Sequence, residues 1–211
     1  MRVALMSDLH ANLPALEAVL DHARQEGVEA IWNLGDLVGY GAFPEEVVQC
    51  LRKHYALSTQ GRYDRQVLRF KKRKEKWHRS KEREEYLALE WAYDHLSGKS
   101  RKYLNFLTLE IRMQVRGKRV LLTHGTPGAE DGYLTPDTAE KQLAKLAREA
   151  RAALLLCGGF HQPVARLVGE KRPSLGSDVL SAVELLAERT GGAEVSRDMA
   201  QAFCGTVADA I

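Results

Sequence analysis

The sequence predicts an α/β fold, and three observations predict it. Short apolar runs of strand length alternate with longer segments whose apolar residues recur every three or four positions. Glycine and proline punctuate the joins between them. The runs Val3-Ala4-Leu5-Met6, Ile31-Trp32-Asn33-Leu34, Arg119-Val120-Leu121-Leu122 and Leu154-Leu155-Leu156-Cys157 are each followed closely by acidic or imidazole side chains. Open α/β sheets gather their ligands at the carboxyl ends of strands, so a polar site is expected along one end of the sheet.

The elements follow in order. A strand over Arg2–Met6 leads into a helix from about Pro14 to Gln25, with Leu13, Leu16, Val19, Leu20 and Ala23 on one face. Pro14 suits its first turn and Gly27 lies just past its end. A second strand over Ile31–Leu34 precedes a helix from Pro44 to Arg52, with Val47, Val48 and Leu51 inward. A strand over Ala56–Gln60 closes this first half. The stretch from Arg65 to Leu107 reads as mostly helical, with Leu87, Trp91 and Leu96 as an apolar seam and a short helix from Ser100. Ile111–Val115 and Lys118–Thr123 flank Gly117 as a hairpin. A helix over Thr138–Glu149 then returns to a strand over Ala152–Cys157, with another strand expected over Val164–Val168. Beyond Arg172, the spacing of Val179, Leu180, Val183, Leu185 and Leu186 predicts an amphipathic helix, with a weaker helical stretch over Glu194–Phe203.

Five segments carry chemistry: Ser7-Asp8-Leu9-His10, Gly35-Asp36, Gly61-Arg62-Tyr63-Asp64, Thr123-His124-Gly125 and Gly158-Gly159-Phe160-His161. Imidazole and carboxylate together suit divalent transition metals, which polarise a phosphoryl oxygen and acidify a bound water. Each residue also has a plainer reading. Asp8 and Asp36 could cap helices, and His124 could be a buried, hydrogen-bonded histidine in a turn. The ordered set favours a shared centre. His22, His54, His78 and His95 lack such partners and read as ordinary surface histidines.

The segments resemble those of the calcineurin-like metallophosphoesterase family, in its small bacterial branch. The stretch from Met1 to Gly41 is close to that branch, and the resemblance continues more loosely to about Arg166. It implies a two-layered β-sandwich flanked by α-helices, and hydrolysis of a phosphomonoester or phosphodiester by a metal-activated hydroxide. In the family two ions lie about 3.5–4 Å apart and share an aspartate. By resemblance, Asp8, His10, the bridging Asp36 and His161 hold the first ion. The second takes Asp36, His124, an Asn and a further His. Here Arg62 stands at the Asn position and Gly159 at the His position. A glycine offers no donor atom, and a guanidinium brings a fixed positive charge without a lone pair. One ion, Mn²⁺, Fe²⁺ or Zn²⁺, is therefore expected rather than two. Asp36, Arg62, Tyr63 and His124 are the expected catalytic residues, with Asn12, Arg62 and Tyr63 at the substrate. Tyr63 replaces the histidine that assists the leaving group, and Asp64 is expected to support the loop.

The chain has 211 residues, 45% of them apolar, enough to bury a core, and is expected to form a single domain over 1–211. Within it, a basic helical insertion is expected at about 65–107 and an atypical helical segment at about 177–211. No apolar run approaches the length of a membrane span, and no leader is read at the start. Cys50, Cys157 and Cys204 show no metal or disulfide spacing, which suits a cytoplasmic setting. The net charge of +3 hides an asymmetry: from Arg62 to Arg83 there are eleven Lys/Arg against three Asp/Glu. The run Arg69–Arg79 is expected either as a solvated helix face or as a polyanion contact, the aromatic neighbours Phe70 and Trp77 allowing stacking. An unpaired sheet edge would call for cover by the C-terminal helix or by a second subunit, hence a homo-oligomer. The rival to a phosphoesterase is a catalytically silent binding module on the same fold.

Overall fold

Two small sheets packed face to face, with helices on the outer side of the first, position the site. The computed structural model describes residues 1–129, 132–161, 165–166, 168 and 205–206. The first sheet is built from β1 (Val3–Met6), β2 (Ala30–Asn33) and β3 (Leu57–Ser58), connected by α1 (Leu13–Gln25) and α2 (Pro44–Lys53). Both pairings are parallel, Met6 lying beside Asn33 and Asn33 beside Ser58. Parallel neighbours need crossover helices, which α1 and α2 provide.

Three helices follow: α3 (Arg62–Ser80), α4 (Arg83–His95) and α5 (Gly98–Phe106). The second sheet consists of β4 (Glu110–Val115), β5 (Lys118–Thr123) and, after α6 (Glu140–Ala150), β6 (Leu154–Cys157). β4 and β5 form the expected hairpin across Arg116 and Gly117, both at positive φ. β6 pairs parallel to β5 and sets Thr123 beside Cys157. A two-residue strand, β7 (Gly205–Thr206), pairs antiparallel with β1 and occupies the edge for which cover was expected.

Two apolar clusters hold the layers. Val3, Trp32 and Leu34 meet Val115, Val120 and Leu122 between the two sheets. On the other face of the first sheet, Ala4 and Met6 pack with Leu16, Leu20, Val47, Leu51, Val67, Phe70 and Leu89 from the helices. Each fully buried Leu or Phe of this kind contributes about 1.5–3 kcal/mol relative to exposure.

The helical middle corrects one expectation. Leu96 is buried, but Leu87 and Trp91 are 48% and 46% exposed, and α4 turns Tyr86, Leu89 and Ala92 inward. Trp91 instead stacks on His95 and donates its indole N–H to the Ala42 carbonyl oxygen at 3.1 Å. An amphipathic ring of this kind satisfies a polar handle at the rim without entering the core. Of the strand expected over Val164–Val168, the described residues Ala165, Arg166 and Val168 are in no strand. The helices expected around Val179–Leu186 and Glu194–Phe203, and Cys204, lie outside the described residues.

Candidate metal centre

The centre is assembled by backbone geometry before any side chain is considered. β1, β2, β5 and β6 end together, and the loops after them are laced by main-chain bonds. Asp8 N–H donates to Gly35 O at 3.0 Å, His10 N–H to Asp36 O at 2.9 Å, and Gly158 N–H to His124 O at 2.9 Å. Asp8, His10, Asp36 and His161 all have φ between 44° and 60°. That left-handed region is unfavourable for residues with a Cβ and persists where the surroundings over-determine it, commonly at functional sites. Four strained residues here are four of the expected ligands.

Their side chains converge. His161 Nε2 lies 3.3 Å from Asp8 Oδ1 and 3.4 Å from His10 Nε2. Asp36 Oδ2 lies 3.2 Å from His124 Nε2 and 3.9 Å from His10 Nε2. Two sets, Asp8-His10-His161 and Asp8-Asp36-His124, bring their donor atoms within 4.8 Å of one another. Asp8 is common to both. All but His161 are deeply buried. Asp8 Oδ1 and His124 Nε2 are buried and face the centre, their nearest polar neighbours being His161 Nε2 and Asp36 Oδ2, which suits a cation among them. The donor set fits a divalent transition metal.

Supporting contacts aim the ligands. Gly159 N–H donates to Asp8 Oδ2 at 2.9 Å, leaving Oδ1 for the centre. Tyr63 N–H, in the first turn of α3, donates to Asp36 Oδ1 at 2.6 Å, so the helix N-terminus holds that carboxylate. His124 Nδ1 donates to Leu34 O at 2.9 Å, which turns Nε2 toward Asp36. Gly61 permits the closest approach: a Cβ there would lie 2.0 Å from Asp36 N. Asp64 accepts from Gly61 N–H at 2.8 Å and from Val38 N–H at 3.1 Å, fastening the two loops together.

Electrostatics follow from this packing. Burial alone would lower His124, but the Asp36 carboxylate and the Asp8 charge outweigh it and raise its pKa to about 9. Burial opposes ionisation of Asp8, yet hydrogen bonding to His161 and the nearby His124 hold it down at about 2. Burial and the Asp36 charge push Asp64 up to about 7. His10 is lowered by burial, against the pull of Asp36 and Asp8. Burial drives Tyr63 well above the usual phenol range, helped by its hydrogen bond to Tyr40.

The chain belongs to the calcineurin-like phosphoesterase superfamily.

The model of its domain matches residues 1–175. A metallophosphoesterase from Sphaerobacter thermophilus superposes with a TM-score of 0.60 at 31% identity, covering 77% of this chain and 62% of that one. PH1004 from Pyrococcus horikoshii superposes with a TM-score of 0.70 at 22% identity, covering 79% and 72%, and shares the fold. MJ0912 of Methanocaldococcus jannaschii is 35% identical over 143 residues, which are 64% of this chain; the chain thus spans 54% of that relative's length.

Two residues that sequence reasoning missed pack beside the centre. The first is Tyr133. A Cβ on Gly159 would lie 2.4 Å from Tyr133 Cε1 and 3.3 Å from His124 Nε2, so the tyrosine ring covers Gly159 beside His124. The second is Tyr40, whose phenol is hydrogen-bonded to that of Tyr63 while both rings pack edge-on to His10. Neither tyrosine sits in a motif, so no spacing announced them. Arg62 lies over the Tyr63 ring, 5.1 Å from its centroid, beside the centre. Asn12, expected at the substrate, is the N-cap of α1: its Oδ1 accepts from Ala15 N–H at 3.1 Å.

Proposed function

We propose that this protein is a metal-dependent phosphoesterase that hydrolyses a phosphomonoester or phosphodiester with one divalent ion, Mn²⁺, Fe²⁺ or Zn²⁺. The observation that carries the reading is the convergence of Asp8, His10, Asp36, His124 and His161 at strand ends, all but His124 on positive-φ backbone. Asp8, His10, Asp36 and His161 are the residues that would hold the ion. When bound, it supplies Lewis-acid polarisation of a phosphoryl oxygen and a water of lowered pKa.

The chain's own residues do the rest. His124 presents Nε2 to the centre because Leu34 O engages Nδ1, and it donates a hydrogen bond to a phosphoryl oxygen as negative charge develops. Arg62, at the start of α3, adds a permanent positive charge and a planar donor set for phosphate. Asp8 and Asp36, each held by a backbone N–H, keep their remaining oxygens facing the centre. Tyr63 is buried and bonded to Tyr40, so it acts as a wall beside His10 rather than as a proton donor to the leaving group. Cys50 and Cys157 are free thiols, which supports a cytoplasmic setting. No helix among the described residues is long and apolar enough to cross a membrane.

The test is hydrolysis of aryl phosphomonoesters and bis-aryl phosphodiesters with each metal, by the natural chain and by Asp36→Asn. Metal-dependent turnover that the substitution abolishes is expected. The lid of Tyr133 over Gly159 and the tied Tyr63 favour a second reading, a silent binding module on this fold. Absence of turnover with every ion would establish it.

A further inference from the structure

The loop from Gly39 to Phe43 lies directly on the turn that carries His10. Gly39, at φ +143°, would put a Cβ 2.9 Å from His10 Nδ1, and a Cβ on Gly41 would lie 2.4 Å from His10 O. Glycine at both places lets the backbone approach this closely. Gly41 N–H donates to His10 O at 2.7 Å, and Phe43 N–H to Ala11 O at 3.2 Å. Flanked by the two glycines stands Tyr40, its ring centroid 5.4 Å from that of His10.

The Tyr40 ring is held but not covered. Its hydroxyl is hydrogen-bonded to that of Tyr63, whose ring lies 4.9 Å away by centroid. The Trp91 indole N–H, bonded to Ala42 O, braces the same loop from α4. Even so, Tyr40 is 48% exposed, whereas Tyr63 and His10 are buried. Pinning a ring without burying it adds little to stability, but it spares a bound group the cost of ordering that ring. Phe43 and the stacked Trp91 and His95 add exposed aromatic surface beside the loop. The aromatics of the basic run differ. Phe70 is buried and packs 6.4 Å from Trp77 on the inner side of α3, so the stacking that the sequence suggested there is not offered.

We propose that Tyr40 is a specificity-determining residue whose open ring face stacks on a flat aromatic ring carried by the phosphate ester, as the base is carried by a nucleotide. The proposal rests on the phosphoesterase reading and adds the class of its substrate. Phosphate seeks the charged side of the centre, where His124 and Arg62 stand. The Tyr40 side is a neutral aromatic wall, which suits the organic part of an ester. Every base and every aryl group presents a π-face, so this contact selects for flatness rather than for a hydrogen-bonding pattern.

The test uses the full chain with Mn²⁺ and two pairs of monoesters, each pair sharing a primary alkoxide leaving group. AMP and the corresponding ribose phosphate differ in the base. Benzyl phosphate and cyclohexylmethyl phosphate differ in the flatness of the ring. Calorimetry gives the dissociation constant of each, and phosphate release gives kcat/KM. The natural chain should favour the flat member of at least one pair by about tenfold, the scale of one base–aromatic stack. Preference in the first pair alone identifies a nucleotide, and preference in the second a general flat ring. Tyr40→Leu should remove the preference. Tyr40→Phe, which keeps the ring and loses the bond to Tyr63, should retain it, with circular dichroism establishing that both variants are folded. A binding preference of this kind without turnover of any ester would defeat the enzymatic reading and leave the role of Tyr40 standing. Equal treatment of both pairs by the natural chain, a preference that survives Tyr40→Leu, or one that Tyr40→Phe also loses would overturn it.

Discussion

Asp36 Oδ2 lies 3.2 Å from His124 Nε2, and this contact couples the protonation of the centre to its occupancy. In the metal-free chain His124 has its pKa raised to about 9, above the ordinary histidine value of about 6.5. The folded state then holds the proton more tightly, so the stabilisation is complete below pH about 6.5 and is lost as pH climbs through about 9. His161, raised chiefly by its bond to Asp8, adds to the same trend. Chelator-treated protein should therefore show a Tm that falls from pH 7 to pH 9. Metal-loaded protein should show a smaller fall, because the ion takes the place of the proton on His161. A rising Tm in the chelated sample would contradict the assignment.

Gly159 cannot be replaced by histidine alone. Its φ is +83°, and its Cβ would collide with Tyr133. Gly159→His should destabilise the chain by about 1–3 kcal/mol in urea titration through overpacking. Adding Tyr133→Ala should recover part of that loss. Combined further with Arg62→Asn, the variant should bind a second ion where the natural chain binds one. If Gly159→His is neutral for stability, Tyr133 does not cover the position.

Asp64 fastens two loops. Asp64→Ala would leave the buried Gly61 and Val38 N–H groups without their acceptor, at about 1–3 kcal/mol each. Chemical denaturation should report about 2–5 kcal/mol of lost stability. Asp64→Asn, which keeps one acceptor oxygen, should recover part of it. A variant lacking activity at unchanged stability would point to a direct chemical role.

Asn12 distinguishes a cap from a substrate contact. Asn12→Ala should reduce stability by about 1 kcal/mol through loss of the α1 N-cap. Asn12→Ser, also a good cap, should restore it. KM for an aryl phosphate should be unaffected by either. A raised KM with unchanged stability would return Asn12 to the substrate.

The strand ends were legible in the sequence because the pattern is local: an apolar run, then a ligand. Asp8, His10, Asp36, His124 and His161 are all brought together as those runs suggested. The hairpin at Gly117 and the helix faces of α1 and α2 were legible for the same reason. What the sequence hid depends on tertiary neighbours. Trp91 and Leu87 have helical spacing suited to a seam, but the face of α4 is set by Phe70 and Tyr86, which pack 5.4 Å apart. Tyr133 reaches Gly159 across a long loop, and Tyr40 reaches Tyr63 across α2. The cap made by Asn12 was hidden because an asparagine beside a ligand motif looks the same whether it caps a helix or meets a substrate. The basic run Arg69–Arg79 was legible as composition, yet the pairing of Lys74 with Glu90 became visible only with α4 in place.

The central claim is that Asp8, His10, Asp36 and His161 grip a divalent cation, with one ion per chain. Elemental analysis of protein purified without chelator, with Mn²⁺, Zn²⁺ and Fe²⁺ titrated into the stripped chain by calorimetry, tests it most directly. Uptake of about one ion per chain, abolished by Asp36→Asn in a folded variant, is the predicted result. A folded natural chain that takes up none of the three ions would contradict the account.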